Sequence, residues 1–336
     1  MDRPLVAAVL AGGVGTRLYP ASRNHRPKQF LVLGDGEKSL LERTVDRLGF
    51  ADEVVVVTRA DFADAVRETV PGVSTLVEPA GRDTGPALAY ATHRIAERFD
   101  DSVVLALPSD HHIEGGFASA AQRGARVAAE TGALVTFGVE PTRPETGYGY
   151  VEPGTDHGAY AEVAAFHEKP DAERARRYVD RGYYWNAGIF AWTHDSFRAA
   201  ARETPLAPLL DALNAGEPKR GFEAVESVSV DRAVFERADD VVTVPLDVGW
   251  DDLGSWDALR RVLPTDADGT VVAGDAEVVS VDAADNVVAG DDVHVSLVGV
   301  DDLTVVAYDD RVLVVPTAAA QRVRKLVAKL ERRGEF

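Results

Sequence analysis

Short apolar runs alternate with amphipathic segments along roughly the first 140 residues of the chain. The apolar runs predict buried strands over residues 5–10, 54–58, 74–77, 103–107 and 133–138. The segments between them repeat apolar residues at helical spacing over residues 39–48, 61–68, 86–98 and 118–130. This alternation predicts an α/β fold, with a Rossmann-like, mixed and mostly parallel sheet covered by helices on both faces.

The pattern changes after Pro264. Before it, residues 141–262 add predicted strands at 161–167, 187–192 and 241–245 to the same sheet. After it come short valine-rich strands between Asp, Gly and Asn turns, at residues 270–273, 278–281, 286–289, 293–298, 304–308 and 312–315. They predict a small β-helix-like domain with repeated rungs, followed by a terminal basic helix over 318–333 capped by Thr317. The predicted domains are therefore residues 1–262 and 263–336.

Composition narrows the class of protein. The 336 residues, 46% of them apolar and 27% charged, suit a globular protein of about two domains. Without cysteine there are no disulfides or thiolate metal sites. No apolar run approaches the roughly 20 residues of a membrane span, and the first run is too short for a signal peptide, so we expect a cytoplasmic protein.

The net charge of −19 predicts a surface that repels nucleic acid and anionic membranes. The bases are 30 Arg and only 6 Lys. An Asp-rich, Lys-poor chain of this kind favours a halophilic composition, adapted to high salt. The alternative is an acidic protein from an ordinary cytoplasm.

A glycine-rich turn, Gly12-Gly13-Val14-Gly15-Thr16-Arg17, follows the first predicted strand. It lacks the dinucleotide fingerprint, because Leu18 stands where a glycine is needed, and no Gly-Lys-Ser/Thr follows as in a P-loop. The turn lies in a stretch, residues 3–34, that contains no acid. The bases of that stretch are Arg3, Arg17, Arg23, Arg26 and Lys28. A basic glycine loop in an acidic chain predicts an anion site, most simply for phosphate.

Extended motifs make the chain resemble the sugar-1-phosphate nucleotidyltransferase superfamily and, within it, the mannose-1-phosphate guanylyltransferase family. The glycine string through Tyr19-Pro20 is common to the superfamily, and Arg26-Pro27-Lys28-Gln29-Phe30 points to the mannose branch. Further matches follow in the expected order at residues 78–87, 107–111, 141–150, 168–170, 185–188 and 249–254. The chain departs from the family at Asp83-Thr84-Gly85-Pro86, usually Asn-Thr-Ala-Pro, and at Ser109, commonly Ala.

The resemblance implies transfer of GMP from GTP to α-D-mannose 1-phosphate, giving GDP-mannose and pyrophosphate. Since a phosphate monoester is largely dianionic near neutral pH, with a second pKa of about 6, in-line attack needs no general base. Arg17 and Lys28 are the expected catalytic cations. The expected nucleotide-binding residues are Leu10, Ala11, Gly12, Gly13, Gly15, Thr16, Glu78, Asp83, Thr84 and Pro86. Those expected to bind the sugar phosphate are Gly147, Tyr148, Glu168, Lys169 and Asn186.

Asp110 and Asp252 are the expected metal ligands, because Mg²⁺ is bound by one or two carboxylates together with substrate phosphates and water. Asp110 follows a buried strand, and Asp247 and Asp251 are rivals for the second position. The expected cofactor is Mg²⁺ or another divalent cation. His111 and His112 are adjacent, so we expect structural roles for both rather than a zinc site. For base recognition, the choice between Glu78 and Asp83 stays open.

Two other functions remain as alternatives. One is a different sugar nucleotidyltransferase, forming dTDP- or UDP-sugars. The other is a non-catalytic regulatory subunit that binds the sugar nucleotide, which retention of Asp110 and Lys28 disfavours. The expected partners are GTP and mannose 1-phosphate, and a homodimer through the small domain stays open.

Overall fold

The computed structural model describes residues 3–33 and 36–336. Its strands are β1 (Leu5–Leu10), β2 (Glu53–Thr58), β3 (Ser74–Val77), β4 (Val103–Pro108), β5 (His112–Glu114), β6 (Leu134–Val139), β7 (Tyr150–Asp156), β8 (Ala161–His167), β9 (Tyr184–Thr193), β10 (Val241–Pro245), β11 (Gly249–Asp251), β12 (Val271–Gly274), β13 (Glu277–Val281), β14 (Val287–Gly290), β15 (His294–Val298), β16 (Leu303–Tyr308) and β17 (Arg311–Pro316). Its α-helices are α1 (Leu40–Asp46), α2 (Ala63–Thr69), α3 (Thr84–Ala96), α4 (Phe117–Thr131), α5 (Ala172–Asp180), α6 (His194–Arg202), α7 (Ala207–Asn214), α8 (Pro218–Ala224), α9 (Leu259–Val262) and α10 (Val323–Glu331). Among these helices, none combines the length and the apolar character that crossing a bilayer requires.

The described residues divide into two compact units. The first, which we call the sheet unit, comprises the described residues of Met1–Gly12, Val45–Pro108 and Ile113–Trp250. The second, the rung unit, comprises those of Gly13–Thr44, Ser109–His112 and Asp251–Phe336. The domain boundary that the sequence predicts, between residues 262 and 263, stays a prediction.

A nine-stranded mixed sheet forms the centre of the sheet unit, in the order β3-β2-β1-β4-β9-β6-β10-β8-β7. Strands β1 to β4 run parallel to their neighbours in this group, as do β6 and β10, whereas β9, β8 and β7 pair antiparallel. This confirms the predicted mixed, mostly parallel sheet. Leu10 of β1 pairs with Val57 of β2 and Pro108 of β4, so the three strands end at one edge.

Burial on both faces explains why the central strands are continuous apolar runs. Val6, Ala8, Val104 and Ala106 have no exposed surface and join one core cluster with Leu88 of α3. Their neighbours in the strands, among them Ala7, Val9 and Leu105, are also fully buried. Helices cover parallel strands on both sides, so no position along such a strand is left for a polar side chain. The apolar runs of the sequence were therefore a reliable guide to β1 and β4.

The rung unit contains a coil of parallel strands. Strands β12, β14 and β16 stack in parallel, with β17 antiparallel at the end, and β13 and β15 form a second parallel pair. Glu277 of β13 lies opposite His294 of β15, one turn of 17 residues further along. Left-handed backbone recurs at the same interval, at Asp285 and Asp302. This agrees with the predicted β-helix-like fold.

The terminal helix differs from its prediction. Residues Thr317–Arg322 form a 3₁₀ helix, and the α-helix spans only Val323–Glu331. The Thr317 hydroxyl lies 3.2 Å from that of Thr304, and no side-chain cap is formed at the start of the 3₁₀ helix. The predicted N-cap at Thr317 was wrong, because the hydroxyl is engaged by the neighbouring rung.

Candidate active site

A first set of candidate residues follows the carboxyl ends of β1, β2 and β3 in the sheet unit. Glu78 comes directly after β3, and its N–H donates to the carbonyl of Thr58 at 2.9 Å. A β-carbon built on Gly12 would lie 3.1 Å from Glu78 Oε1, so glycine admits the carboxylate at this position. Arg59 follows β2, and its side chain passes beside both Gly12 and Gly81. We call Gly12, Arg59, Glu78 and Asp83 the Glu78 group.

Glu78 is a buried carboxyl with unused hydrogen-bonding capacity. Its side-chain atom Oε2 is buried and has no hydrogen-bond partner among the described residues. Burial raises the pKa of Glu78 to about 7, while the Arg59 guanidinium opposes the shift and Asp83 adds to it. Arg59 Nε is likewise buried without such a partner in the described chain. An acceptor and a donor left unsatisfied in one place are typical of a ligand site.

The start of α3 fixes Asp83, Thr84 and Gly85. Asp83 caps the helix, its Oδ1 accepting the N–H of Thr84 at 2.7 Å. Gly85 donates its N–H to the carbonyl of Val228 at 3.0 Å, and a β-carbon at Gly85 would lie 2.7 Å from the same oxygen. The departure from the family's usual alanine thus has a steric reason in this backbone. Pro86 follows as a buried residue of the first helical turn.

A second set, also in the sheet unit, lies around the end of β8 and the start of β9. We call Gly149, Glu168, Lys169 and Asn186 the Glu168 group. A β-carbon on Gly149 would lie 3.2 Å from Glu168 Oε2 and 3.7 Å from Asn186 Cβ. Lys169 Nζ is 2.6 Å from Glu168 Oε1, and the lysine side chain is 62% exposed. The group therefore presents an accessible ammonium beside a carboxylate and an amide.

Asn186 is held in place by protein groups. Its Nδ2 donates to Asp231 Oδ1 at 2.6 Å, and its Oδ1 accepts the N–H of Gly188 at 3.0 Å. Burial raises the pKa of Asp231, and the hydrogen bond from Asn186 opposes that shift. The bond to Asp231 uses one of the two amide hydrogens of Asn186.

Tyr148 belongs to an aromatic cluster rather than to an open loop. Its ring meets those of Trp185 and Trp250 edge-on, with centroids 5.2 and 5.1 Å away. The Arg143 guanidinium lies 4.9 Å from the Trp185 ring. Gly147 precedes the cluster and donates its N–H to Glu145 Oε1 at 3.0 Å. The side chain of Tyr148 is thus a buried support for the turn beside the Glu168 group.

A third set lies in the rung unit, around a buried lysine. Lys28 is only 4% exposed. Its Nζ is 2.8 Å from Asp110 Oδ2 and donates to the backbone carbonyl of Asp252 at 2.6 Å. We call Lys28, Asp110 and Asp252 the Lys28 group. A buried ammonium between two aspartate residues is unusual, because burying a charge is costly unless it is paired.

The carboxylate of Asp110 remains ionised beside Lys28. Burial tends to raise the pKa of Asp110, but the charge of the Lys28 ammonium and its hydrogen bond hold it below its ordinary value. The pKa of His111 is lowered, because burial outweighs the attraction of the neighbouring aspartates. His111 therefore stays neutral at neutral pH.

The two rivals to Asp252 have other environments. Asp251 is almost completely buried and forms a two-pronged ion pair with Arg261, at 2.6 and 3.1 Å. Asp247 is an exposed residue of the sheet unit. Asp252 accepts the N–H of Gly254 through Oδ1 at 2.9 Å and remains partly exposed. This favours Asp252 over both rivals.

The Lys28 group fits a magnesium ion in its donor chemistry. No cluster of three or more His, Cys, Asp or Glu residues suited to a metal occurs in the described parts of the chain. Lys28 Nζ contacts the Asp110 carboxylate and the Asp252 backbone carbonyl, so the residues that carry both candidate carboxylates adjoin the same ammonium. Mg²⁺ commonly takes one or two carboxylates and completes its shell with phosphate oxygens and water.

The glycine loop is folded onto Lys28. Val14 accepts the N–H of Lys28 at 3.0 Å, and Gly15 has a left-handed φ of 76°. A β-carbon at Gly15 would overlap the side chain of Lys28, so only glycine fits here. Thr16 and Arg17 then form a 3₁₀ turn, from which Arg17 Nη1 donates to Gln321 Oε1 at 3.4 Å.

Predicted residues lie in three groups, of which two are in the sheet unit and one is in the rung unit, while the Arg17 side chain bonds to Gln321 and to no member of these groups among the described contacts. Leu10 ends β1, and Ala11, the next residue, donates its N–H to the Val57 carbonyl of β2. Gly13 is an exposed residue of the rung unit. Sequence reasoning missed Arg59, Asp231 and Arg261. Arg59 directly follows a predicted strand, and Asp110 comes three residues after the end of another, so a position just beyond a strand was a usable signal. Nothing in the local sequence marks Asp231 or Arg261.

Comparison with family models gives two matches. The model described as nucleotidyl transferase matches residues 6–269. The model described as MannoseP isomerase/GMP-like beta-helix domain matches residues 276–330.

Individual relatives match over nearly the whole chain. Mannose-1-phosphate guanylyltransferase of Salmonella montevideo is 38% identical over 96% of this chain and 73% of its own length. The protein of the same name from Escherichia coli is 38% identical over 97% of this chain and 74% of its own. A solved structure from Thermus thermophilus, named mannose-1-phosphate geranyltransferase, superimposes with a TM-score of 0.90 at 35% identity, covering 97% of this chain and 99% of that one.

Proposed function

Because the chain belongs to the nucleotidyl transferase family, we propose that it transfers GMP from GTP to α-D-mannose 1-phosphate, releasing pyrophosphate and forming GDP-mannose. The choice of GTP and mannose 1-phosphate rests on the named relatives. One observation carries the reaction type, namely a buried lysine held between two aspartate residues beside a glycine loop. That arrangement suits the stabilisation of negative charge on phosphates.

Phosphoryl transfer of this kind needs positioning and charge neutralisation more than acid–base chemistry. The sugar phosphate is the nucleophile, and one of its oxygens forms a bond to the α-phosphorus as the bond to the pyrophosphate oxygen breaks. In our proposal Lys28 neutralises charge at the reacting phosphates, and Arg17 holds the β- and γ-phosphates that leave. The backbone N–H groups of the glycine loop approach the nucleotide where no side chain intervenes.

Asp110 and Asp252 would hold a divalent cation, in our proposal Mg²⁺, which supplies Lewis-acid stabilisation of the phosphate charge when it is bound. The ionised state of Asp110 supports this assignment, because a carboxylate must be deprotonated to ligate a metal. Lys28 keeps both aspartate residues in place through the contacts described above.

Glu78 is the residue that we propose for recognition of the base. Guanine presents N1–H and N2–H₂ as adjacent donors, and a carboxylate can accept from both. Glu78 offers a buried oxygen with no partner in the described chain, whereas Asp83 already accepts the N–H of Thr84. The arrangement therefore favours Glu78 over Asp83.

The Glu168 group is proposed for the sugar phosphate. The exposed ammonium of Lys169 suits the phosphate, and the Glu168 carboxylate suits sugar hydroxyls. Asn186, oriented by Asp231, would donate its second amide hydrogen to another hydroxyl.

A grid of substrates tests this proposal. The purified protein with Mg²⁺ is mixed with each of GTP, dTTP, UTP and ATP and with mannose 1-phosphate or glucose 1-phosphate, and pyrophosphate release is followed. We expect GTP with mannose 1-phosphate to give the highest kcat/KM. A higher value with dTTP or UTP would identify a different nucleotidyltransferase. Binding of GDP-mannose without turnover of any pair would identify a regulatory subunit.

The acidic composition gives a separate prediction for stability. With a net charge of −19, like charges repel at low ionic strength, and added salt screens them over about 10 Å at 0.1 M. We expect the free energy of unfolding to rise when KCl increases from 0.05 to about 0.5 M, a range in which screening dominates. Urea titrations measure this, with sucrose as an uncharged control. If the free energy of unfolding does not change when salt is removed, the hypothesis that the chain is adapted to high salt is contradicted.

A further inference from the structure

Arg261 of α9 connects to the candidate metal ligands through a continuous set of hydrogen bonds within the rung unit. We propose that Arg261 is a positioning residue, which fixes the turn Asp251–Gly254 and thereby orients Asp252 and Lys28 for a divalent cation. The inference rests on the proposed function only through the assignment of Asp252 as a metal ligand. It adds a residue to which the sequence motifs assign no role.

The ion pair between Arg261 and Asp251 is the start of this set. Arg261 Nε lies 2.6 Å from Asp251 Oδ2 and Nη2 lies 3.1 Å from Oδ1, so the planar guanidinium binds both oxygens in a bidentate ion pair. The Asp251 side chain is only 4% exposed. Arg261 also reaches Asp257 Oδ2 through Nη1 at 3.2 Å. A bidentate ion pair fixes the orientation of the carboxylate, whereas a single contact would leave the carboxylate free to rotate.

The fixed carboxylate of Asp251 determines the turn that follows. Its Oδ1 accepts the N–H of Leu253 at 2.9 Å, and Leu253 has a left-handed φ of 46°, which a leucine adopts only under constraint. The next carboxylate, that of Asp252, accepts the N–H of Gly254 at 2.9 Å. A β-carbon on Gly254 would lie 2.6 Å from Asp252 Oδ2, so the glycine makes room for this carboxylate.

The turn also supports Lys28. The Asp252 carbonyl accepts from Lys28 Nζ at 2.6 Å, and the same ammonium pairs with Asp110 at 2.8 Å. If the Asp251 carboxylate no longer accepted the N–H of Leu253, Leu253 would relax from its left-handed conformation. The Asp252 carboxylate and carbonyl would then move together, because they belong to one residue.

The neighbouring Arg260 provides a matched control. Both arginines lie on α9, have side chains about equally exposed (30% and 28%) and pair with two aspartates. Arg260 pairs with Asp285 and Asp302 at the corners of the coil, at 3.0 and 3.2 Å. Its carboxylate partners are 56% and 74% exposed, whereas Asp251 is 4% exposed, so Arg260→Gln controls for loss of a guanidinium from α9, and the unfolding measurements below control for the buried pair.

The test uses Mn²⁺ alone as the probe, titrated into the full-length protein without nucleotide and followed by electron paramagnetic resonance of the free ion. Arg261→Gln and Arg261→Lys are compared with Arg260→Gln, and Asp252→Asn identifies the site. We expect Arg261→Gln to weaken Mn²⁺ binding by about 10- to 100-fold, as loss of a group that orients a ligand typically does. Arg261→Lys keeps the positive charge but cannot form the bidentate pair, so its Mn²⁺ affinity should lie between those of the parent protein and Arg261→Gln. Arg260→Gln should bind as the parent protein does.

The outcomes separate the two claims. If Asp252→Asn removes a site that Arg261→Gln and Arg261→Lys leave intact, the role of Arg261 is refuted while the metal site stands. If Arg260→Gln weakens binding as much as Arg261→Gln, the effect is general destabilisation and the inference fails. If Mn²⁺ binding to the parent protein does not depend on Asp252, both the assignment of Asp252 as a metal ligand and the proposed role of Arg261 are refuted. Thermal unfolding of each variant checks that it is folded. If Arg261→Gln is unfolded, the result with Arg261→Lys decides the test.

Discussion

Lys28→Met should lower kcat for GDP-mannose formation by about 10²- to 10³-fold, the usual cost of removing one preorganised group that stabilises charge in a transition state. Methionine has a similar length but no charge. The variant therefore loses the contacts of the ammonium with the Asp110 carboxylate and the Asp252 carbonyl while keeping the volume of the buried chain. Initial rates of pyrophosphate release under saturating GTP and mannose 1-phosphate measure the effect.

A second lysine provides the control for this result. Lys219 is exposed at the start of α8 and belongs to none of the three groups, so Lys219→Met removes the same charge outside the candidate site. We expect it to keep the parent kcat. A Lys28→Met protein that is folded by circular dichroism and turns over at the parent rate would contradict the role of Lys28.

Glu78→Gln should change both the choice of nucleotide and its dependence on pH. The Glu78 carboxylate can accept both guanine donors, whereas a glutamine amide accepts one hydrogen and donates another. Uracil and thymine present one N–H donor beside a carbonyl acceptor, which matches an amide. We expect kcat/KM for GTP to fall by about 10²-fold, roughly the cost of leaving a buried donor unpaired, and the ratio of GTP to UTP turnover to fall with it.

The pH dependence follows from the raised pKa of Glu78, which is about 7. Binding of guanine donors requires the ionised carboxylate, so the KM for GTP should rise by up to about tenfold for each pH unit below 7. In Glu78→Gln that rise should be absent. An exposed residue, Glu68, gives the control substitution Glu68→Gln. A KM for GTP that is independent of pH from 5.5 to 8 in the parent protein would count against Glu78.

The same pKa affects the stability of the protein without ligand. A carboxyl whose pKa is raised on folding binds its proton more tightly in the folded state. Its contribution to the free energy of unfolding is therefore fully present below the ordinary pKa of 4.5 and is lost as the pH rises through about 7. The loss amounts to about 3 kcal/mol at 1.36 kcal/mol per unit. Glu78→Gln should lose this dependence and be the more stable protein above pH 7.

How far the sequence predicts this molecule depends on how local each signal is. The strands β1 and β4 were predictable, since complete burial leaves a continuous apolar run. The motif singled out Lys28, but its burial was not predictable, because the two aspartate residues that it contacts lie more than 80 residues away in the chain. The ion pair between Arg261 and Asp251 was not predictable although the two are 10 residues apart, because in a chain with 55 acids nothing in the sequence shows which acid an arginine pairs with.

Site chemistry also depended on which hydrogen bonds were already used. From the sequence, Glu78 and Asp83 were equal candidates for the base. They became distinguishable when Asp83 was seen to cap α3, whereas one oxygen of Glu78 has no partner in the described chain. Similarly, Asp251 and Asp252 are adjacent and chemically identical, and only the partner of Asp251 separates them. Such distinctions come from folded geometry and not from residue type.

The 17-residue interval of the coil has a consequence for how its length can change. Turn positions with left-handed backbone repeat at that interval, at Asp285 and Asp302 and again at Asp282 and Gly299. Duplication or deletion of one complete interval keeps every valine on its original face of the stacked strands. Insertion or deletion of a single residue instead exchanges the inward and outward faces for the remainder of that strand. Gene rearrangements that add or remove whole turns are therefore tolerated far better than small insertions within one.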